Sequence, residues 1–214
     1  MTQTTSTIPK AALRGTASGI FFMAFFETLW AYTGIMGLQG WGIPWLLIIA
    51  VAIGSVLYIS GVFLLRASRE LPNQVQTTAV RYGKRTFFWF NIIFAAELLA
   101  IAITVVICQA ARHTELIPIV VAFIVGAYFL PLAYLFQVKV YYVTGGLLCL
   151  LAILTFLFVP EKITLGEHEI LSFMSLTGIG SAFILWGTGL SILVMGKKLI
   201  RFAQLKTSIS EIGM

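Results

Sequence analysis

Apolar stretches alternate with short polar connections along the whole chain. Each stretch holds about 20 residues, the length that an α-helix needs to cross the hydrocarbon core of a bilayer. Glycine, proline or clustered polar residues stand at the breaks, where a helix ends or loses its hydrogen bonds. The pattern predicts six transmembrane helices at 17–38, 43–65, 86–108, 117–136, 140–159 and 171–196.

The composition agrees with a chain that lies mostly inside a membrane. Of its 214 residues, 59% are hydrophobic and 10% are charged, against about 25% charged residues in a soluble domain. Six spans leave only short connections, with no room between them for a separate soluble domain. The sequence therefore predicts an all-α polytopic membrane protein, a six-transmembrane-helix bundle with a tail at 1–16, a transmembrane domain at 17–196 and a tail at 197–214.

The positions of lysine and arginine predict which side of the membrane each connection faces. These residues accumulate on the cytoplasmic side, whereas acidic residues have little effect on topology. Twelve of the 14 fall in the tails and in the connections after the second and fourth spans, while Arg112 and Lys162 fall on the opposite side. Both ends of the chain are therefore expected in the cytoplasm, in a multi-pass protein of the inner (plasma) membrane.

The net charge of +6 is explained without nucleic acid. The basic residues lie beside the predicted spans, where they set topology and attract anionic lipid headgroups. We therefore expect membrane lipids as partners and no nucleic acid. A homodimer is a further possible assembly.

Glu27 in the first span and Glu97 in the third are the only charged residues deep inside predicted spans, and the chain has no aspartate. At about 1.5 Å of rise per residue, they lie roughly 18 to 20 Å inward from Arg14 and Arg85, near the bilayer midplane. Because both spans start from the same side, the two carboxyl groups share a depth, at which they are able to face each other or one cavity. A carboxylate at this depth must be protonated, paired or hydrated.

Helical geometry predicts the direction in which Glu27 points. The residues on its face of the helix are small, whereas those on the opposite face are bulky, and small residues allow neighbouring helices to approach. Glu27 should therefore point into the bundle and the bulky residues toward lipid. The inner face is predicted to hold Ile20, Ala24, Ala31 and Gly34, and the lipid face Phe22, Phe25, Leu29, Tyr32 and Met36.

Further polar side chains can complete a site at the depth of the carboxyls or line a path to it. Thr104 shares the face of Glu97, and the hydroxyls of the sixth span fall on one stripe. Such groups also serve as packing, because hydroxyls in a membrane helix bond back to their own backbone. The predicted transport or proton- and cation-binding residues are Glu27, Glu97, Asn91, Thr104, Tyr128, Thr177, Ser181 and Thr188.

Three classes of function fit this arrangement. The first is a carrier that moves a proton, a cation or a small solute through a cavity between spans one, three and six, since adjacent carboxyls tend to share a proton. The second is a non-catalytic membrane scaffold, sensor or lipid-binding protein, in which neutral glutamates join helices by hydrogen bonds. The third is a membrane enzyme that acts on a lipid or a quinone.

Catalytic and metal-binding motifs are sparse. His168 and Glu169 lack the second histidine of a zinc-protease helix, since Ser172 stands in its place. Without aspartate, the chain lacks the usual ligands of magnesium in phosphoryl transfer. His113 and His168 lie on separate connections, without the spacing of a zinc site. The sequence therefore predicts no catalytic residues, no metal site and no cofactor.

Three segments of the chain resemble known sequences. They are FNIIFAAELLAI from Phe90, GAYFLPLAYLF from Gly126 and VYYVTGGLLCL from Val140. The region 90–149 resembles a group of small bacterial membrane proteins with six predicted spans and no assigned function. The resemblance implies a bacterial inner-membrane protein and assigns no functional residue.

The predicted topology can be tested by labelling single cysteines in a background that carries Cys108→Ser and Cys149→Ser. Gly40→Cys and Leu165→Cys should react with a membrane-impermeant thiol reagent added outside intact cells, because both positions belong to external connections. Val75→Cys should react only after the cells are opened. Labelling of Val75→Cys from outside would contradict the six-span topology.

Overall fold

The computed structural model describes residues 10–69, 77–165 and 168–212. In these ranges the chain forms six long α-helices, each with a segment of 20 to 27 residues that is long and apolar enough to cross a membrane. The prediction of an all-α six-span protein is therefore confirmed. Val75 and residues 1–9 and 213–214 of the predicted tails lie outside the described ranges. The helices are α1 (Lys10–Met36), α2 (Ile43–Arg69), α3 (Thr77–Ala110), α4 (Ile117–Phe136), α5 (Lys139–Phe158) and α6 (Ser172–Ile212).

α3 and α6 continue farthest beyond their apolar segments. α3 begins at Thr77, before the predicted span, and α6 continues to Ile212 although its predicted span ends at 196. Hydropathy marks the part of a helix that lies inside the membrane, and a more polar helical turn outside it carries no such signal. Both extensions lie on the side of the bundle where α1 begins, which we call the terminus side.

A small β-hairpin joins α5 to α6 and was not predicted from the sequence. Its antiparallel strands are β1 (Lys162–Leu165) and β2 (His168–Leu171). The Lys162 ammonium lies 2.9 Å from the Glu169 carboxylate, and this hydrogen-bonded ion pair raises the pKa of the lysine. The backbone N–H of Leu171 donates to the carbonyl of Gly37 at 2.9 Å. The hairpin thereby connects the end of α1 to the start of α6, on what we call the hairpin side.

The first and last helices form the centre of the bundle. α1 packs against α6 on one flank and α2 on another, and α5 packs against both α4 and α6. α3 packs mainly against α4 and has the fewest buried residues of the six spans. Since α1 and α6 run antiparallel, residues on α1 near the midplane have neighbours from the middle of α6.

Glycine allows the backbones of α1 and α6 to come into close contact. A Cβ atom at Gly34 would overlap the backbone of Gly178 and Ile179, and one at Gly37 would lie 2.6 Å from the backbone nitrogen of Ser175. Further toward the terminus side, Gly189 faces Met23. Close contact at small residues is a usual way for membrane helices to associate, because van der Waals packing replaces the hydrophobic effect there.

The predicted faces of α1 are confirmed except at Phe22 and Met36, which are half-buried rather than exposed. Phe25 is 65% exposed at the surface of the bundle, and Leu29 and Tyr32 are also exposed. Phe22 was expected to face lipid but is half-buried, because its ring packs against Phe90 and Phe94 of α3 at centroid distances of 6.2 and 6.1 Å. The residues buried on the inner face are Ile20, Ala24, Glu27, Ala31 and Gly34.

Gly34→Ala should lower the free energy of unfolding by about 1 to 3 kcal/mol, because the added methyl group has to push α1 away from α6. The measurement is reversible denaturation in mixed detergent micelles. Gly146→Ala is the matched control, since a Cβ atom there meets nothing within 4 Å. It should leave stability unchanged or raise it by up to about 1 kcal/mol, as alanine favours a helix over glycine. Equal effects of the two substitutions would show that the contact of α1 with α6 is looser than described.

Candidate functional site

Glu27 is completely enclosed by the bundle. Its exposed fraction is 0%, and neither carboxyl oxygen has a hydrogen-bond partner among the described residues. The Oε1 atom lies 3.8 Å from the position that a Cβ atom on Gly54 of α2 would occupy. The carboxyl group therefore extends toward α2 and lies beside Gly54.

An unpaired hydrogen-bond donor of α6 lies at the depth of Gly54. Leu57 of α2 packs at Gly189 of α6 and Leu64 packs at Gly196, so these two helices run parallel in a fixed register. That register places Trp186 in the layer of Gly54. The indole Nε1–H of Trp186 is buried without a partner in the described part of the chain. One donor and two acceptors, all buried and unpaired in the described ranges, thus lie at the same depth of the bundle.

Glu97 lies on α3 at the same depth and is 6% exposed. It lines a small cavity of about 10 Å³, which is close to the least space that holds one water molecule. The walls are otherwise apolar, so the carboxyl is the chief polar group of this cavity. The other lining residues are Phe22, Met23, Phe26, Val125, Phe129, Leu132 and Leu185.

The two carboxyl groups lie on different sides of α1. Glu27 extends toward α2, whereas Glu97 faces α4, and Met23 and Phe26 of α1 line the Glu97 cavity while Glu27 does not. Since neither oxygen of Glu27 has a hydrogen-bond partner, the carboxyls share no hydrogen bond. The structure therefore places the two glutamates apart, and only Glu97 lines this cavity.

The hydroxyl stripe of α6 faces α5 and is buried. The Thr188 hydroxyl lies 2.6 Å from the hydroxyl of Thr144, and it also donates to its own helix at the carbonyl of Ile184, at 2.8 Å. Thr177 and Ser181 are fully buried, and their hydroxyls have no partner in the ranges that the structure describes. In the predicted stripe, Thr188 is therefore hydrogen-bonded, whereas Thr177 and Ser181, which lie farther toward the hairpin side, are unpaired in the described ranges.

Three other predicted residues lie away from both carboxyls. The amide of Asn91 donates to the carbonyl of Phe87 at 2.8 Å on the exposed surface of α3. Thr104 is half-buried on α3, and Tyr128 is half-buried on α4, one turn before Pro131. None of the three lines the cavity at Glu97.

A lateral groove between α1 and α2 was not predicted from the sequence. It has a volume of about 790 Å³ and opens toward the lipid-facing surface. Its floor contains Gly54 and Thr28, whose hydroxyl donates to the carbonyl of Ala24 at 2.7 Å. The sequence does not single out this position, because the small and polar pair Gly54–Ser55 is matched by Ser60–Gly61 in the same helix. The remaining lining residues are Phe21, Ala24, Phe25, Leu29, Tyr32, Val51, Ser55, Tyr58 and Ile59.

The histidines lie at the hairpin side, far along the helices from either carboxyl. His113 lies 2.8 Å from the Glu115 carboxylate, and His168 belongs to β2. Within the described ranges, no three histidine, cysteine or acidic side chains are grouped so that they could hold a metal ion.

Comparison of the chain with protein families, with curated proteins and with solved structures gave no match. The resemblance of region 90–149 to small bacterial membrane proteins therefore stays a prediction. The six long apolar helices indicate that the chain is an integral membrane protein.

The separation of the two carboxyls predicts that they titrate independently. In Glu97→Gln, the infrared carboxyl band of Glu27 should keep its frequency and its titration midpoint, because Met23 and Phe26 lie between the groups. The converse should hold for the band of Glu97 in Glu27→Gln. A displacement of either midpoint by one pH unit corresponds to about 1.4 kcal/mol of interaction and would contradict the separation.

Proposed function

We propose that this protein is a membrane carrier in which Glu27 binds and releases a proton or a cation. One observation carries the proposal: both oxygens of a fully buried mid-membrane carboxyl are without a hydrogen-bond partner in the described part of the chain. A carboxyl that served only to join helices is expected to use its oxygens for that purpose, because unpaired buried polar groups cost about 1 to 3 kcal/mol each.

The surroundings of Glu27 offer no fixed positive charge. The described lysines and arginines of α2 and α6 with placed side chains lie at the terminus-side ends of these helices, as Arg66 and Lys197 do. An isolated carboxylate in a medium of low polarity is unstable, so the group has to take up a proton or a mobile cation. Exchange of that occupant with the two sides of the membrane is the elementary step of a carrier.

The packing around Glu27 permits small relative movements of helices. Gly34 and Gly178 present nearly bare backbone at the contact of α1 with α6, so a short displacement there does not require interlocked side chains to separate. Sliding of packed helices by 1 or 2 Å is a common way in which membrane and soluble proteins change conformation. We propose that such a movement opens the space around Glu27 to one side at a time.

Glu97 provides a second protonatable group at the same depth. Its cavity has room for about one water molecule, and a carboxyl with one water can pass a proton onward. We assign Glu97 to the carrier cycle as a separate proton-binding group on the α4 side of α1, rather than as a direct partner of Glu27.

The orientation in the membrane follows the charge distribution and forms part of the proposal. Six spans place both ends of the chain on one side, and twelve of the 14 basic residues also fall there. We propose that this side is cytoplasmic and that the protein resides in the plasma membrane, with anionic lipid headgroups beside the basic residues.

Purified protein in liposomes tests the carrier function directly. After a potassium gradient with valinomycin sets the membrane potential, a trapped pH-sensitive dye should report proton movement across wild-type vesicles. Sodium and potassium gradients, applied in turn with the dye, show whether a metal cation moves with the proton or against it. Glu27→Gln and Glu97→Gln should lower the rate at least tenfold, since an amide cannot bind a proton at neutral pH.

Glu161→Gln is the control for this experiment, because it removes a carboxyl at an exposed position on the hairpin side. It should transport like wild type. If Glu27→Gln folds and transports at the wild-type rate, the carrier proposal fails, and the glutamates are better explained as hydrogen-bonding groups of a membrane scaffold.

A further inference from the structure

We propose that the groove between α1 and α2 binds lipophilic organic cations, with the Glu27 carboxylate as their counter-charge. The inference rests on the proposed role of Glu27 as a cation-binding group, and it adds the class of substrate. Three features of the described residues support it: the size and position of the groove, its aromatic lining, and the carboxyl immediately behind its floor.

The groove has the dimensions of a binding site for a small organic molecule. Its volume of about 790 Å³ falls within the range of roughly 300 to 1,000 Å³ that is usual for such sites. It opens sideways between two membrane-spanning helices, and its residues come from the middle of both apolar segments. An apolar ligand can therefore enter from the bilayer without crossing water.

Aromatic rings form much of the wall. Phe21 and Tyr58 pack together from opposite helices with a centroid distance of 5.0 Å, and Phe25 and Tyr32 also line the groove. Faces of aromatic rings attract organic cations, and the attraction grows when the cation has lost its water. A wall of aliphatic side chains would bind a lipid chain equally well but would not favour positive charge.

Negative charge is supplied through the floor. Gly54 and Thr28 belong to the lining, and the Oε1 atom of Glu27 lies 3.8 Å from the Cβ position of Gly54. The Thr28 hydroxyl lies 2.5 Å from the same Cβ position, so it stands beside the carboxyl at the floor of the groove. Contact between a bound cation and the carboxylate therefore requires Thr28, whose hydroxyl now bonds to Ala24, to change its rotamer.

The charges around the groove select against anions. No lysine or arginine is among its lining residues, and the lining hydroxyl groups of Thr28, Tyr32, Ser55 and Tyr58 are uncharged. Opposite charges attract strongly in a medium of low polarity, where solvent screening is weak. A lipophilic cation should therefore bind much more tightly than an anion of the same shape and size.

Tetraphenylphosphonium and tetraphenylborate make this comparison directly, since they have nearly the same shape and opposite charge. Binding of each ion is measured by equilibrium dialysis against the purified protein in lipid nanodiscs, with empty nanodiscs as the blank. The phosphonium should bind saturably to one site per chain and at least tenfold more tightly than the borate. Glu27→Gln should remove that preference, whereas Glu161→Gln should keep it.

Ser55→Phe supplies a second variant that does not depend on the buried carboxyl. Ser55 lies on the exposed face of α2 and lines the groove, so a larger side chain narrows the groove without entering the core. It should weaken phosphonium binding at least tenfold, with a melting temperature and a size-exclusion profile like those of wild type.

The possible results separate this inference from the carrier proposal. Equal binding of the two ions, or unchanged charge preference in Glu27→Gln, overturns the inference and indicates a groove that lipid chains fill. Proton movement that depends on Glu27 without phosphonium binding leaves the carrier proposal standing and removes the inference alone. Charge-selective binding without any proton or cation movement supports the inference and removes the carrier proposal alone.

Discussion

The close contact of α1 with α6 is the interaction on which the rest of the bundle depends. It exists because Gly34 and Gly178 leave the two backbones bare where they meet. With the first and last helices held together, α2 packs on one flank of the pair and α4 and α5 on the other. The hairpin strengthens the same pairing at one end, where the N–H of Leu171 donates to Gly37. The positions of both carboxyl groups follow from this arrangement, one on each flank.

Polar groups inside this bundle fall into two sets that differ in hydrogen bonding. The Thr144 and Thr188 hydroxyls lie 2.6 Å apart, and each also lies within hydrogen-bond distance of a carbonyl of its own helix. One hydroxyl therefore donates to the other, and the second donates to its own helix, so both oxygens have partners where no water competes. The Glu27 carboxyl, the Ser181 hydroxyl and the indole N–H of Trp186 are buried without partners in the described ranges, although unpaired buried groups are costly and rare. The unpaired set lies from the midplane toward the hairpin side. The Thr144–Thr188 pair lies on the terminus side of the unpaired set. Hydrogen bonding of the buried polar groups therefore differs between the two halves of the membrane-spanning region.

The sequence predicted the number of helices, the depth of Glu27 and Glu97 along them, and the inner face of α1. It did not predict which helix packs against each face. Hydropathy and helical rise determine how deep Glu27 and Glu97 lie, and the small residues around Glu27 show that it points inward. Neither property indicates which helix lies next to each face of α1. The sequence therefore could not show whether the two carboxyls share a cavity, and they are found on different sides of α1. The same limit explains Phe22, which packs against α3 rather than lipid. The hairpin was missed because two four-residue strands between long apolar spans leave no hydropathy signal.

Gly54 connects the fold to the proposed chemistry more directly than any charged residue does. A side chain at this position would meet the Thr28 hydroxyl at 2.5 Å, so glycine is what lets α1 and α2 approach each other here. The close approach places the Glu27 carboxyl beside Gly54 on the inner side of the helix pair, and Gly54 lines the lateral groove on the outer side. A larger residue at position 54 would separate the helices, and the carboxyl would then lose both its enclosure and its closeness to the groove. One small residue therefore affects both the packing of two helices and the distance between the Glu27 carboxyl and the lipid-facing groove. This role of Gly54 can be recognised only after the register of the two helices is known.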